Sequence, residues 1–308
     1  MPARLTLSLI TPVFNTPPDY LAAVAQSLPA AVGRHSYEWI IVDDGSTDGP
    51  TCAMLGELAT QPEVRLLTNT KTKGAAGARN TGADVSQAPY LVFVDADDLL
   101  QSGGIESLLD AITNNPQLRC VVADFEQFED APGDVDVAPE LLADSECVPV
   151  HEPDIARRLI FETLFNQGSY VVERSLFFDL GGFDERFRIG EDWLLWMRLA
   201  VRKEIYYCRR LVMWQRRGHA SVMSGSLSAT QAVVAPYLAA RRDTQFVDLK
   251  KPLRWRISKL YGLLAQRNAD GGSYWNSVRF AMLAALWSVN DLGQWWNVVR
   301  VAAGQAPR

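Results

Sequence analysis

Five short β-branched or apolar runs recur along the first 124 residues: 5–11 (LTLSLIT), 38–43 (EWIIVD), 64–68 (VRLLT), 90–95 (YLVFVD) and 119–124 (RCVVAD). Segments of helical length and apolar spacing, 19–28, 48–60, 77–86 and 103–114, lie between them. Strand followed by helix, repeated, predicts an α/β layer built on a mixed, mostly parallel sheet flanked by helices. In such sheets ligands bind beyond the carboxyl ends of the strands. Three of the runs end in an acid, Asp43, Asp95 and Asp124, so the carboxyl edge is where chemistry is expected.

The run at residue 90 is the most heavily charged. It reads YLVFVDADDL, three carboxylates in four positions after an apolar strand. Alternation along a strand points Asp95 and Asp97 to one side, with Asp98 opening the turn. Aligned carboxylates repel unless a cation or hydrogen-bond donors neutralise them. Mg2+ and Mn2+ prefer oxygen donors, and Mg2+ commonly takes one or two carboxylates together with substrate phosphates. A lone D-x-D is more often a helix N-cap with solvated acids, and the motif gains weight only from its company. The second run also ends in two acids and a turn, IIVDDGSTDG (40–49), with Thr47 or Asp48 as a helix N-cap. The stretch KGAAGARNTGA (73–83) allows close backbone approach and offers Lys73 and Arg79 to a phosphate.

Farther on, 129–153 is a loop rich in Pro, Asp and Glu. A helix near 154–165, an extended piece at 169–174, a turn at 181–187 (GGFDERF), a helix over 191–203 and strands near 205–215 follow. Beyond Ser221 only helical patterns remain, broken at Pro236, Pro252, 270–272 and Gly293. GEDWLLWMRL (190–199) opens an amphipathic helix with two acids, which the helix dipole and free amides favour in any protein.

Taken in order, LSLITPVFN, WIIVDDGSTDG, KGAAGARNTGA, VFVDADDLL and GGFDERFRIGEDWLLWMRL resemble the family-2 inverting glycosyltransferases of the GT-A fold, from about residue 5 to about residue 224. The resemblance implies a GT-A catalytic domain over 1–225 and a C-terminal helical region over 226–308. It implies a nucleotide-sugar donor, UDP before dTDP or GDP, and a hydroxyl acceptor on a glycan or glycolipid. The implied nucleotide-binding residues are Pro12, Phe14, Asp43, Asp44, Lys73, Arg79, Asp95 and Ala96. Phe14 lies against the base, Asp44 contacts the base, and Asp43 and Asp95 contact the ribose. Asp97 is the implied ligand of Mg2+ or Mn2+, with Asp98 assisting through water. Asp192 is the implied general base, with Glu191 orienting donor or acceptor. His219, in RRGHASVMS, corresponds to a histidine that approaches the metal or diphosphate, with Ser221 and Ser224 as lesser candidates. Each residue also has a plainer reading: a core aromatic for Phe14, helix-end acids for Glu191 and Asp192, a surface-loop histidine for His219.

Other classes fit less well. The first strand is followed by TPVFNTPP, without the glycines of a dinucleotide site. A phosphohydrolase with an Asp nucleophile leaves VDDGS and GEDW unexplained. A non-catalytic nucleotide-sugar-binding or scaffolding domain in polysaccharide assembly is the remaining alternative.

The four cysteines are scattered and form no C-x-x-C pair, which reads as reduced thiols in a cytoplasmic protein. No export signal is legible and no apolar run approaches the ~20 residues of a membrane span. The net charge of −6 hides a split. No Lys or Arg lies between Arg119 and Arg157, whereas 241–308 holds eleven against four Asp. These basic residues form no stripe suited to nucleic acid. The same tail has five of the nine tryptophans, Trp255, Trp275, Trp287, Trp295 and Trp296. That composition suits peripheral contact with the inner face of a membrane, or an appendage packing its tryptophans on the catalytic domain or in a homo-oligomer.

Overall fold

In the computed structural model, the described residues are 5–129, 150–151, 154–217, 227–288 and the single positions 296 and 300. They divide into two compact units. The first comprises residues 1–153, 163–185 and 198–219. The second comprises 154–162, 186–197 and 220–308, so it takes in two segments that a boundary drawn at 225 assigns elsewhere.

The first unit opens with β1 (Leu7–Val13), α1 (Pro18–Val32), β2 (Tyr37–Asp43), α2 (Gly49–Leu58), β3 (Val64–Thr68), α3 (Ala75–Val85) and β4 (Tyr90–Phe93). β5 (Leu99–Leu100), α4 (Gly104–Asn114), β6 (Cys120–Glu129) and β7 (Val150–His151) follow. β1 to β4 run parallel in the order β3-β2-β1-β4, and Val13, Asp43 and Thr68 lie in register. Their carboxyl ends therefore form one sheet edge. β1 is buried almost throughout, because leucines, isoleucines and valines of α1 and α4 share a core with Leu7, Leu9 and Val13 on one face while α3 covers Ile10 on the other. This core supplies the rigid floor from which the edge residues project.

α3 comes unusually close to that floor. A Cβ on Gly82 would stand 2.5 Å from Ile10 Cγ2, and one on Gly77 would meet the Thr72 carbonyl oxygen at 1.9 Å. The glycines of the 73–83 stretch thus serve helix–sheet approach and the loop that folds back over α3.

The second half of the sheet mixes directions. In chain order, α5 (Ile155–Leu159) belongs to the second unit and precedes β8 (Tyr170–Glu173) and α6 (Arg174–Asp179) of the first. α7 (Glu191–Val201) is followed by β9 (Ile205–Arg217). β8 is antiparallel to both β4 and β6, β9 is parallel to β6, and the short β5 and β7 run antiparallel to β9. The nine strands make one sheet of the expected mixed type. β6 does not stop at Asp124: the strand continues to Glu129 through a register shift at that residue, and the Tyr207 hydroxyl donates to its carboxylate. Asp124 marks a bulge. Its place in the sequence run could not distinguish a bulge from an end.

In the second unit, α8 (Leu227–Arg242) leads through a 3-10 turn at 244–249 to α9 (Lys250–Asp270) and α10 (Tyr274–Trp287). α9 and α10 pair antiparallel. The Ser258 hydroxyl donates to the Ala284 carbonyl, the Ser277 hydroxyl to the Ala265 carbonyl, and the Arg254 guanidinium to the carbonyls of Leu286 and Trp287. Trp275 and Trp296 are exposed, Trp255 is about half exposed and meets the Phe161 ring edge-on at 5.4 Å, Trp287 is half-buried, and Trp295 lies outside the described residues.

Cys208, buried on β9, is disulfide-bonded, whereas Cys52 and Cys120 are free. The reading of four reduced thiols fails at Cys208, because pairing depends on distance in space and not on spacing in sequence. The thiol argument for a cytoplasmic location falls with it. No described helix is long and apolar enough to cross a membrane.

Candidate functional site

At the carboxyl edge of β1 to β4, short turns hold the polar groups in fixed places. Asp43 closes β2 and accepts the Ser46 amide at 2.8 Å, which turns the chain at Gly45, whose φ of +87° suits glycine. Asp48 then caps α2 by accepting the Thr51 amide at 2.9 Å, and the bonds from Thr51 hold its carboxyl below the usual range. Asn15, with φ of +49°, receives the amides of Thr47 and Asp48 on its side-chain oxygen. Its own amide donates to the Ser46 hydroxyl, so the loops after β1 and β2 are tied together.

Asn69, directly after β3, is the hub of the next group. Its backbone amide donates to Asp43 O, and its side-chain amide donates to Asp44 Oδ1 at 2.6 Å and to Thr72 O. Its side-chain oxygen accepts the Thr81 hydroxyl and the Lys71 amide. Asp44 is thereby held by a neutral donor on one oxygen, at an edge open to solvent. Phe14 is exposed there, not in the core, and Lys73 Nζ lies 4.4 Å above its ring. Pro12 is half-buried in β1 opposite Val42.

The D-x-D segment lies beyond the end of β4 at Phe93, where the chain leaves the strand and turns. Even so, the alternation expected of a strand persists: Asp95 and Asp97 are partly exposed, while Ala96 and Asp98 are buried. Arg79 is buried on α3 and its guanidinium contacts Asp95 Oδ1 at 2.5 Å. Arg79, expected as a cation for phosphate, thus lies beside the D-x-D segment and holds one oxygen of Asp95. Asp98 accepts the Arg216 amide at 2.9 Å, and Arg216 Nε donates to the Asp97 carbonyl. Burial, then the charges of Asp95 and Asp97, push the Asp98 carboxyl well above the usual carboxylate range.

The turn at 181–185 is fastened to α3. Asn80 donates to Phe183 O and Glu185 Oε1 and accepts the Phe183 amide. Burial raises Glu185, but its bonds from Asn80 and Thr72, with Lys71 nearby, outweigh this and leave its carboxyl below the usual range.

The strand edge thus brings together Pro12, Phe14, Asp43, Asp44, Lys73, Arg79, Asp95, Ala96 and Asp97. Asn15, Asn69, Asn80 and Arg216 complete it. Asn69 follows the third parallel strand, so the strand-end rule that singles out Asp43 also points to it. Arg216 comes from β9, more than a hundred residues away, and carries no local signal.

Glu191 and Asp192 belong to the second unit. Glu191 is buried at the start of α7, and Asp192 is half-buried with Oδ1 2.6 Å from the Trp193 amide. Trp193 donates its indole N–H to Leu159 O and stacks on Tyr237 at 4.0 Å. Burial raises the Tyr237 phenol; Arg256 opposes this and the Asp192 charge adds to it. His219, Ser221 and Ser224 lie outside the described residues.

No group of three or more His, Cys, Asp or Glu among the described residues is arranged to hold a metal ion unaided. With Asp95 paired to Arg79, Asp97 is the carboxylate to consider. A single carboxylate suits Mg2+ or Mn2+ when substrate phosphates and water complete the shell, and in that sense the residues fit.

Comparison with known proteins agrees with the architecture. Residues 8–137 match the family model described as Glycosyl transferase family 2. O-antigen biosynthesis protein RfbC of Myxococcus xanthus is 26% identical over 262 residues, 82% of this chain and 20% of the relative. The Escherichia coli UDP-Glc:alpha-D-GlcNAc-diphosphoundecaprenol beta-1,3-glucosyltransferase WfgD is 28% identical over 109 residues, 35% of this chain and 42% of the relative. The chain therefore spans a fifth to about two-fifths of such relatives' lengths. The crystal structure of S. aureus TarS 1-349 in complex with UDP-GlcNAc superposes with a TM-score of 0.58 at 14% identity, covering 99% of this chain and 93% of that one. At that identity the likeness establishes the fold, the GT-A arrangement.

Proposed function

We propose, from the premise that this chain carries a family-2 glycosyltransferase domain over residues 8–137, that it moves a sugar from a UDP-sugar to a hydroxyl of a glycan or lipid-linked glycan, with inversion at the anomeric carbon. The observation that carries the reading is the set of polar and aromatic groups fixed along one edge of β1 to β4. Phe14 offers its exposed face to the base. Asn69 holds one oxygen of Asp44, which leaves the carboxylate oriented to accept an N–H from uracil. Asp43 and Asp95 accept ribose hydroxyls, with Arg79 fixing Asp95. Lys73, on its long stem above Phe14, meets the diphosphate.

Asp97 would hold Mg2+ or Mn2+, which when bound neutralises charge developing on the departing diphosphate. Asp192 takes the proton of the acceptor hydroxyl as that oxygen attacks, since an alcohol is a poor nucleophile until deprotonation is under way. Glu191 orients donor or acceptor. His219 is a second candidate to approach the metal or diphosphate. The names of the relatives support the substrate class: one is described as using UDP-Glc with a diphosphoundecaprenol-linked acceptor, and one neighbour was crystallised with UDP-GlcNAc.

Calorimetric titration of UDP in the presence of Mg2+ tests the donor half. Asp44→Ala should weaken binding by about tenfold or more, the loss of a charged hydrogen bond. Unchanged affinity would remove Asp44 from the base site.

A further inference from the structure

The helical pair α9–α10 presents the wrong kind of surface for water. On α10, Trp275, Arg279, Met282 and Leu286 follow one another at spacings of four, three and four, which places them on one face. That face is outward: Trp275 is 79% exposed, Leu286 63% and Met282 50%. The opposite face, Ser277, Val278, Ala281, Ala284 and Ala285, is buried. α9 repeats the pattern at spacings of four, where Lys251, Trp255, Lys259 and Leu263 form a ridge alternating basic and apolar side chains. Trp255 and Leu263 are exposed, and Lys259 Nζ lies 5.1 Å from the Trp255 ring centre. Neither helix is long and apolar enough to span a bilayer.

The charge of this region selects among partners. Residues 250–288 hold seven Lys or Arg and one Asp in a chain whose net charge is −6. Arg254 and Arg267 are bonded to Leu286, Trp287 and Thr230, and Arg256 lies over the Tyr237 ring, so Lys250, Lys251, Lys259 and Arg279 are the cations that set the charge of the outer faces. A partner that accepts bulky apolar side chains and favours a basic setting is an anionic lipid surface: ring and aliphatic groups enter the headgroup boundary while the ammonium and guanidinium groups meet lipid phosphate. We infer that the exposed apolar and basic side chains of α9 and α10 serve as peripheral docking groups for an anionic bilayer. This assignment stands apart from the donor chemistry, as none of its residues is placed at the strand edge.

Sedimentation of the full chain with vesicles of phosphatidylcholine, with and without roughly one-third phosphatidylglycerol, tests it. Binding should require the anionic lipid and weaken steeply between low salt and ~0.5 M salt, where the screening length is a few ångströms. Trp275→Ser, Met282→Ser and Leu286→Ser combined should lower partitioning by about tenfold or more, with far-UV circular dichroism and UDP affinity unchanged. Lys251→Glu with Lys259→Glu should also weaken it, through charge alone. Absence of binding at low salt, or binding indifferent to both sets of changes, would overturn the assignment. So would stripe variants that dissociate an oligomer in sedimentation velocity without altering lipid partitioning, because the face would then join copies of the chain.

Discussion

The strand edge of the first unit and the outer faces of α9 and α10 treat side chains in opposite ways. At the edge, nearly every polar group is held by a neighbour: Asp43 by Ser46, Asp44 by Asn69, Asp95 by Arg79, Asp98 by Arg216. The helical faces hold aromatic and aliphatic groups outward, with cations beside them. One region devotes its sequence to fixing geometry, as recognition of a small polar ligand requires. The other leaves bulky groups largely exposed, as a broad and undemanding surface allows. Substitutions should therefore be sharp and local in effect at the edge, and graded on the helices.

The largest expected effect is at Asp97. Asp97→Ala should reduce turnover by about 100- to 1000-fold, the scale of losing one major electrostatic stabiliser, while leaving thermal stability nearly intact. Near-normal turnover in this variant, or in wild type with excess chelator, would break the comparison at its strongest point. Asp192→Asn keeps size and should lower transfer by roughly 100-fold while UDP affinity holds. A parallel loss of affinity would reassign Asp192 to donor binding.

Gly77→Ala tests whether the edge is as rigid as its contacts imply. The added methyl would collide with backbone at Thr72, so chemical denaturation should show a loss of about 1–3 kcal/mol together with weaker UDP binding. Unchanged stability would mean that the loop yields freely. By contrast, Trp275→Ser should change stability by no more than about 0.5 kcal/mol.

A smaller, pH-dependent effect is expected from Glu185→Gln. The folded carboxyl titrates below its ordinary 4.5, so its contribution to stability is present above that value and is lost as pH falls through the lower, folded one. The stability gap between wild type and variant should shrink on acidification; a gap constant with pH would show that the Asn80 and Thr72 bonds do not depend on the charge.

The parallel half of the fold is legible because its strands are apolar runs ended by turn residues, and the helices between them keep their period. Asp43, Asp44 and Asp95 are readable for the same reason, since each lies where a buried strand meets solvent. What the chain does not reveal locally is partnership. Nothing near Arg79 says that it is buried against Asp95, and nothing near Arg216 says that β9 carries it to Asp98. Asp124 misleads because a bulge and a strand end share the same apolar run followed by an acid. The exposure of Trp255 and Trp275 is likewise settled by tertiary packing: the helical spacing shows which residues share a face, and only the fold shows which face is covered.

The central claim, inverting transfer from a nucleotide-sugar, is tested most directly by incubating the full chain with a panel of UDP-, dTDP- and GDP-sugars, Mg2+ or Mn2+ and a lipid-linked glycan acceptor. Nucleoside diphosphate release is followed, and the anomeric configuration of the product is read by NMR. The account predicts release from a UDP-sugar and a product whose anomeric configuration is opposite to that of the donor. Retention of configuration, or transfer that proceeds equally well in Asp192→Asn, would contradict it.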